Sequence, residues 1–341
     1  MKWGVLSTSS IATQVMIPGI QSSRNGRVSA IASRSEATAT RVAERFGIPK
    51  AYGRYDALID DPEIEAVYIP LPNSMHMEWT IKAAEKGKHV LCEKTLALDS
   101  REAELMAAAC RKHGVTLMEG FANRFHPQNL LAKKLVSEGR IGRVVAINTM
   151  FSTPKPAADN INLNPQLGGG VLREKGCYLV NYPRFIYGSE PIRVSASVTF
   201  GEVTMVDERV TAVLQFSGGG ISFMDTGYDL SGNSCYQSAE IFGETGRIYI
   251  PQAIFQMETA ITGEVVDESV YVAEDRFLVG ETKKEKIRVP GVNQWKVEAE
   301  YFADRVLQGS DIGFPAEDGL ANVRAMDAIY QSSRVGRQID L

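Results

Sequence analysis

The chain has 341 residues, 44% of them hydrophobic, and a formal net charge of −4 at pH 7. This length predicts two domains, and the charge gives no basic surface for nucleic acid or an anionic membrane. No run of about 18 apolar residues, no leader-like segment and no clustered cysteines or histidines occur, so we expect a cytoplasmic protein without membrane spans, disulfides or a metal site.

Up to about residue 150, short apolar runs alternate with helical patterns, as in the βαβ units of a parallel sheet. The predicted strands are Trp3–Leu6, Arg27–Ala32, Ala66–Ile69, His89–Cys92 and Thr116–Glu119. The predicted helices between them are Glu36–Phe46, His76–Lys86 and Ser100–Lys112. Asp99 is the expected N-cap of the last helix.

After Gly142 the pattern changes to strands separated by turn signals, which predicts a second domain built on a mostly antiparallel sheet. These strands are Arg143–Phe151, Arg193–Phe200, Arg209–Phe216, Gly220–Tyr228, Cys235–Phe242 and Gly246–Ile250. Two further helices are predicted, over Trp295–Leu307 and within Pro315–Val335. The second of them could pack back on the first domain.

The turn after the first strand lies where a dinucleotide-binding fold has its glycine-rich phosphate loop. The G-x-G-x-x-G/A frame falls on Ser7-Thr8-Ser9-Ser10-Ile11-Ala12, which keeps only the small third residue. Helix-start N–H groups and hydroxyls still bind phosphate, so the candidate contacts are Ser7, Thr8, Ser9, Ser10 and Ile11. The alternative is a serine-capped helix start without a ligand.

The second predicted strand ends at Ser33 and Arg34, where an NAD-specific site would have an acid for the ribose 2′-hydroxyl. A hydroxyl and a guanidinium suit a 2′-phosphate instead. The sequence therefore predicts NADP in preference to NAD. The alternative is that Arg34 is an ordinary solvated charge.

Several motifs in this order resemble those of the Gfo/Idh/MocA oxidoreductases. They are Pro72-Asn73-Ser74-Met75-His76, Gly87 to Lys94, Glu119 to Pro127, Gly168 to Leu172, Asn293-Gln294-Trp295 and Pro315 to Asp318. The resemblance covers nearly the whole chain. It implies an α/β fold, with an N-terminal Rossmann domain over residues 1–122 and a C-terminal α/β domain over residues 123–341 that carries a large open sheet. It also implies a homodimer or higher homo-oligomer formed through that sheet.

The resemblance further implies an enzyme that transfers hydride between a nicotinamide and a sugar or polyol carbon. Lys94 matches the family's catalytic lysine, Tyr178 its second acid/base position and Glu174 the Asp four residues before it. The candidate cofactor contacts beyond the serine turn and Ser33-Arg34 are Pro72, Asn73, His76, Glu93, Lys94 and Arg124. The candidate contacts to a small-molecule substrate are Lys94, Arg173 and Tyr178.

This chemistry is consistent with the residue types. A tyrosine whose pKa is lowered by a nearby ammonium can give a proton to a developing alkoxide. Lys94 could supply that charge, or could orient the carbonyl oxygen while Tyr178 relays the proton. At helical spacing Glu174 and Tyr178 share a face, so the carboxylate could hold Lys94 or a sugar hydroxyl.

Three positions depart from the family pattern: Ser7 replaces a glycine, Thr95 replaces a proline, and Arg173-Glu174-Lys175 stands where relatives have an Asp between two apolar residues. The added cations indicate either a solvated helix face or an anionic substrate. The leading hypothesis is an NADP(H)-dependent sugar or polyol oxidoreductase. The alternatives are a dinucleotide-binding pseudoenzyme or sensor and a nicotinamide-dependent glycosidase.

Overall fold

The computed structural model describes residues 1–232, 234–254, 268–275 and 282–341. These residues form two compact units. The first contains residues 1–122 and 293–323, and the second contains residues 123–292, as far as they are described, together with 324–341. Within the described ranges, no helix is both long enough and apolar enough to cross a bilayer.

The first unit is built on a six-stranded sheet in which every neighbouring pair is parallel. Its strands are β1 Lys2–Leu6, β2 Arg27–Ala32, β3 Lys50–Tyr52, β4 Ala66–Ile69, β5 His89–Glu93 and β6 Leu117–Gly120. Their order is β3-β2-β1-β4-β5-β6. The chain reverses its direction of strand addition between β1 and β4, and the crevice at the carboxyl ends of these strands is where such sheets bind ligands.

The helices of the described residues are α1 Ile17–Gln21, α2 Glu36–Phe46, α3 Tyr55–Ile59, α4 His76–Glu85, α5 Ser100–Lys112, α6 Pro127–Ser137, α7 Cys177–Tyr187, α8 Gln294–Gln308 and α9 Ala316–Val335. They comprise the five predicted helices and four more, α1, α3, α6 and α7. Two π-helical turns, Ala12–Met16 and Leu172–Gly176, lead into α1 and α7. The predicted N-cap of α5 is confirmed, because the Asp99 carboxylate accepts the Glu102 N–H at 2.9 Å.

Residues from the carboxyl-terminal part of the chain complete the first unit. The rings of Trp3 and Phe302 lie 5.2 Å apart, and Arg24 forms an ion pair with Asp304. A Cβ atom at Gly19 would lie 3.0 Å from the backbone nitrogen of Lys296, so the glycine allows α1 and α8 to approach closely.

The second unit contains a nine-stranded sheet in which only β7 and β10 pair in parallel. Its strands are β7 Val144–Pro154, β8 Pro191–Phe200, β9 Asp207–Phe216, β10 Ile221–Leu230, β11 Tyr236–Gly243, β12 Arg247–Ile250, β13 Glu268–Asp275, β14 Thr282–Val289 and β15 Ile339–Asp340. Their order is β14-β13-β12-β11-β7-β10-β9-β8-β15. The predicted α/β class, with a parallel sheet followed by a large, mostly antiparallel one, is confirmed.

One face of the second sheet packs on helices, and its strands alternate accordingly. Ile147 and Phe151 of β7 are buried on the face that carries α7. Phe223 of β10, Tyr236 of β11 and Tyr271 of β13 point to the opposite face, where they are 43%, 48% and 36% exposed.

Candidate active site

The serine turn after β1 has an ordinary backbone. Met205 is the only non-glycine residue with positive φ in the described part of the chain, so no position of the turn requires glycine. Ser7 Oγ accepts the Ser9 N–H at 3.0 Å, and Ser9 O accepts the Thr13 N–H at 3.0 Å. Ser9 Oγ is buried and has no hydrogen-bond partner among the described residues. The turn therefore combines a helix start with an unsatisfied hydroxyl.

Ser33 and Arg34 lie at the carboxyl end of β2, as predicted from the sequence. The Ser33 N–H donates to Tyr52 O at 3.0 Å, which fixes the strand end against β3. Ser33 is buried and Arg34 is exposed. Among the described residues, no carboxylate forms an ion pair with Arg34. A guanidinium at this edge of the sheet is therefore available to an anion.

His76 begins α4 and is completely buried. Its Nδ1 lies 2.8 Å from the Thr95 carbonyl oxygen, and its Nε2 lies 2.8 Å from the Leu71 carbonyl oxygen. Burial lowers the pKa of the imidazole. The ring therefore lies between the segments after β4 and β5 with both nitrogens facing backbone carbonyl oxygens, and its predicted contact with the cofactor stays a prediction. The preceding Pro72 and Asn73 are half-buried.

Glu93 is the last residue of β5, and Lys94 follows it. Lys94 is half-buried, and the Lys94–Thr95 peptide bond is cis. The Tyr68 hydroxyl donates to Glu93 Oε1 at 2.5 Å, and the Lys94 N–H donates to Glu93 Oε2 at 3.3 Å. Burial raises the pKa of the Glu93 carboxyl. The buried pair from β4 and β5 thus fixes the backbone that carries Lys94.

In the second unit, the Gly168–Gly170 turn is fixed by Asp207 at the start of β9. Gly170 has a φ of 122°, and a Cβ atom there would overlap the Asp207 carboxylate. Asp207 Oδ2 accepts the Leu172 N–H at 2.6 Å, and Oδ1 accepts the Tyr330 hydroxyl at 2.8 Å. Burial raises the pKa of Asp207, whereas these hydrogen bonds and Arg173 oppose that shift. Asp207 therefore fixes the start of the helix that carries Glu174 and Tyr178.

Glu174 lies in the π-helical turn, where two neighbours contact the same oxygen of its carboxylate. Lys175 Nζ forms an ion pair with Glu174 Oε2 at 2.7 Å, and the Tyr228 hydroxyl donates to Oε2. The Lys175 ammonium also lies 4.3 Å from the centroid of the Tyr228 ring. One turn later, Tyr178 is 8% exposed, and its ring lies 6.3 Å from that of Phe151.

Arg173 and Arg124 both have partners inside the second unit. The Arg173 guanidinium lies 5.3 Å from the centroid of the Tyr330 ring and donates to Gly169 O at 3.4 Å. Arg124 is buried, and its Nε donates to Asn181 Oδ1 at 2.8 Å. Asn181 lies on α7, one turn after Tyr178. The predicted contacts of Arg173 with substrate and of Arg124 with cofactor stay predictions.

The structure groups the candidates by unit. The first unit has the serine turn, Ser33-Arg34, Pro72-Asn73, His76 and Glu93-Lys94 at the carboxyl ends of neighbouring parallel strands. The second has Arg124, Arg173, Glu174 and Tyr178 on or beside the helix that begins at Leu172. Four further residues that fix these side chains were not predicted from the sequence: Tyr68, Asp207, Tyr228 and Tyr330. These four are distant along the chain from the groups that they contact, and no local motif marks them.

Comparison with known proteins identifies the chain. Residues 1–121 match the model of an oxidoreductase family with an NAD-binding Rossmann fold, and residues 129–249 match the Gfo/Idh/MocA C-terminal domain. Over 342 aligned residues, covering all of both chains, the sequence is 36% identical to D-xylose 1-dehydrogenase (NADP(+)) 2 of Haloferax volcanii.

Two solved structures are similar over nearly the full length. An aldose–aldose oxidoreductase from Caulobacter crescentus, complexed with glycerol, matches with a TM-score of 0.88 and 27% identity over 100% of this chain and 99% of the other. A 3-ketoreductase from Actinomadura kijaniata, in complex with NADP and TDP-benzene, matches with a TM-score of 0.88 and 28% identity over 97% of each chain. The chain therefore belongs to the Gfo/Idh/MocA family of oxidoreductases, whose N-terminal domain is a Rossmann fold that binds a nicotinamide dinucleotide.

Proposed function

We propose that this enzyme is an NADP(H)-dependent oxidoreductase that transfers hydride between the nicotinamide and a carbon of a neutral sugar or polyol. The observation that carries this proposal is the full-length similarity to an NADP-dependent xylose dehydrogenase. The two structural relatives described above bear the names of enzymes that act on an aldose or a keto group. Neither the pseudoenzyme nor the glycosidase hypothesis gains support from these names.

The first helix start fits a dinucleotide. The buried Ser9 hydroxyl has no partner within the described residues, and a phosphate oxygen would satisfy it. The N–H groups of the first helical turn have no intrahelical acceptor, and the helix dipole favours an anion there. Thr8, Ser10 and Ile11 are the flanking candidates. Because the turn has ordinary dihedrals, serine side chains replace glycines without backbone strain.

Arg34 determines the preference between the two cofactors. A guanidinium bonds a phosphate through charge-assisted hydrogen bonds of about 1.5–3 kcal/mol, which corresponds to roughly 10- to 100-fold in affinity. Ser33 would add a hydroxyl contact to the same group. We therefore expect NADP(H) to bind more tightly than NAD(H).

Lys94 and Tyr178 carry the acid/base chemistry in this proposal. The nicotinamide, when bound, supplies or accepts the hydride. Tyr178 gives the proton to the reacting oxygen in reduction and takes it back in oxidation, and the Lys94 ammonium stabilises the negative charge that develops there. Glu174 orients a substrate hydroxyl. Glu93, bonded to Tyr68, positions the Lys94 backbone.

The charge balance of the second unit favours an uncharged substrate. Lys175 is paired with Glu174, and the positive charge of Arg173 acts on the buried carboxyl of Asp207. Lys175 therefore already has an anionic partner in the protein, and Arg173 is attracted to a second carboxyl. A sugar acid or sugar phosphate would need an unmatched cation, because burying a charge without a partner is expensive.

The test of the cofactor is a calorimetric titration of the purified protein with NADPH and with NADH. We expect NADPH to bind more tightly, and Arg34→Ala to weaken NADPH binding by about 10- to 100-fold while changing NADH binding less than about threefold. Arg27→Ala is the matched control, because Arg27 is an exposed arginine at the opposite end of the same strand. Equal weakening of NADPH and NADH by Arg34→Ala would contradict the role of Arg34.

The test of the reaction is turnover of D-xylose and other neutral aldoses and polyols with NADP, alongside sugar acids and sugar phosphates. Lys94→Ala and Tyr178→Phe should each lower kcat by about 10²- to 10⁴-fold, and Tyr178→Phe should leave NADPH affinity unchanged. Turnover of the charged sugars only would contradict a neutral substrate. Tight NADPH binding without turnover of any compound would support the pseudoenzyme hypothesis.

We also propose that the outer face of the second sheet forms a homodimer. Its exposed rings Phe223, Tyr236 and Tyr271 give this face an aromatic surface. Phe223→Glu should convert the dimer to monomer in sedimentation analysis. The control Leu130→Glu changes a comparably exposed residue on α6 and should leave the dimer intact.

A further inference from the structure

Lys175 is unusual because it is a lysine with almost no solvent access. It is 4% exposed, and its ammonium lies between the Glu174 carboxylate and the face of the Tyr228 ring. The Phe151 ring lies 6.0 Å from the same ammonium. A buried ammonium needs a compensating anion, and here the anion is a proposed catalytic residue.

Two neighbours of Glu174, Lys175 and Tyr228, act on Oε2. Lys175 comes from the same helical turn, whereas Tyr228 comes from β10 and donates its hydroxyl to that oxygen. A carboxylate held through one oxygen from two directions cannot rotate freely about its last bond. The direction of its other oxygen, Oε1, is thereby fixed as well.

This arrangement explains two departures from the family pattern together. A glutamate reaches one methylene farther than the aspartate that relatives have at this position, and it has one more rotatable bond. A longer, more flexible acid would position a substrate hydroxyl less well unless other groups immobilised it. Lys175, which replaces an apolar residue, and Tyr228 supply that immobilisation.

We propose that Lys175 and Tyr228 are positioning residues that act through Glu174, and that neither touches the substrate. This inference rests on the proposed function, because it assigns the Glu174 carboxylate to a substrate hydroxyl. The low exposure of Lys175 supports an indirect role, since a side chain that is 4% exposed offers little surface to a ligand.

The test is a double-mutant cycle in the full-length enzyme with NADP and D-xylose. We expect Lys175→Met to lower kcat/KM by about tenfold or more, with a raised KM for the sugar and NADPH affinity unchanged within about twofold. In the Glu174→Gln background, the same substitution should lower kcat/KM less than about twofold, because the group through which it acts is already neutral. Equal losses in both backgrounds would overturn the proposal.

Two further variants separate positioning from folding. Tyr228→Phe removes only the hydroxyl and should lower kcat/KM by about three- to tenfold, again only when Glu174 is present. Lys88→Met is the matched structural control, because Lys88 is also buried but donates to the carbonyl oxygens of Asp61 and Ile64 in the first unit. Lys88→Met should lower kcat/KM by the same factor in the wild-type and Glu174→Gln backgrounds. If Lys88→Met lowered kcat/KM in the wild type but not in the Glu174→Gln background, the coupling would come from general destabilisation. That result would overturn the positioning role.

A second readout does not need turnover. The urea midpoint of unfolding is measured for the wild type, Lys175→Met, Glu174→Gln and the double variant. Lys175→Met should lower the midpoint, and adding Glu174→Gln should restore most of that decrease. If the wild type turns over no sugar but this recovery is seen, the proposed function fails while the pairing stands. Additive midpoint changes would overturn the pairing itself.

Discussion

Two helix starts of this enzyme satisfy their backbone N–H groups in opposite ways. In the first unit, the serine turn after β1 leaves a buried Ser9 hydroxyl without a partner among the described residues. In the second unit, Asp207 accepts the Leu172 N–H at the head of the helix that carries Tyr178. One helix start is open to an external anion, and the other has a carboxylate of its own.

The glycines follow the same division. Gly170 has a φ of 122° and leaves space for the Asp207 carboxylate, so a side chain there would meet both strain and overlap. The serine turn has no positive φ, and serines replace the glycines of the phosphate-loop frame. The comparison shows that the need for glycine is set by local dihedrals and close approach, not by the letters of a motif.

The strongest test of this comparison is Gly170→Ala. We expect the free energy of unfolding to fall by about 3 kcal/mol, because alanine disfavours this φ and its Cβ overlaps Asp207. Urea denaturation measures the change. Gly188→Ala is the control, since Gly188 has a φ of 65° with no atom within 4 Å of the added Cβ. Its free energy of unfolding should fall by only about 1 kcal/mol. Equal losses would contradict the role of the overlap.

Ser9→Asp would make the first helix start resemble the second. The new carboxylate can accept the helix-start N–H groups and should repel a pyrophosphate, so the Kd for NADPH should rise about 100-fold, equivalent to ~2.7 kcal/mol. Calorimetric titration measures this change. Ser9→Asn has the same size without the charge and should weaken NADPH binding less than about fivefold. If both variants weaken binding alike, bulk rather than charge is responsible.

A third helix start extends the comparison to pH. His126 caps α6, with Nδ1 accepting the Gln128 N–H at 3.3 Å, and burial lowers its pKa to about 4. An unfolded histidine titrates near 6.5, so the stability present above that pH is lost as pH falls toward 4. From pH 7 to pH 5, the free energy of unfolding should fall by about 2 kcal/mol more in the wild type than in His126→Asn. The asparagine keeps an acceptor for the helix cap. Parallel urea-midpoint curves for the two proteins would refute this prediction.

Ser7→Gly should have the smallest effect. It restores the first glycine of the frame, but it removes the acceptor of the Ser9 N–H and adds freedom to the unfolded chain. We expect a loss of about 0.5–1 kcal/mol in unfolding free energy and less than about a threefold change in NADPH affinity. A tenfold gain in affinity would show instead that the serine side chain holds the phosphates away.

Local patterns predicted much of the fold. The bounds of α2 and α5 agree with the predicted ones because each has a capping side chain, Ser35 or Asp99, at its start. The three-residue strand β3 was missed because it is too short to show a period. The strand β14 was missed because its sequence, TKKEKIRV, has few apolar residues to alternate.

The site was predicted less completely, for a different reason. Motifs pointed to Lys94, Glu174 and Tyr178, but the groups that fix them come from distant parts of the chain. Asp207 is 35 residues from Leu172, and Tyr228 is 54 residues from Glu174. The spacing of one sequence gives no sign of such pairings. The motif around His76 likewise gave no sign that both of its ring nitrogens face backbone carbonyl oxygens.

The first unit is completed by residues 293–323, which are synthesised after residues 123–292. Trp3 and Gly19 pack against α8, which the ribosome synthesises only after the intervening second unit. At about 5–20 residues per second, the roughly 170 residues in between take about 10–30 s. During that interval the nascent sheet of the first unit exposes the apolar surface that α8 later covers. All six strands of the Rossmann sheet are therefore made early, but the packing of Trp3 against α8 is completed only near the end of translation.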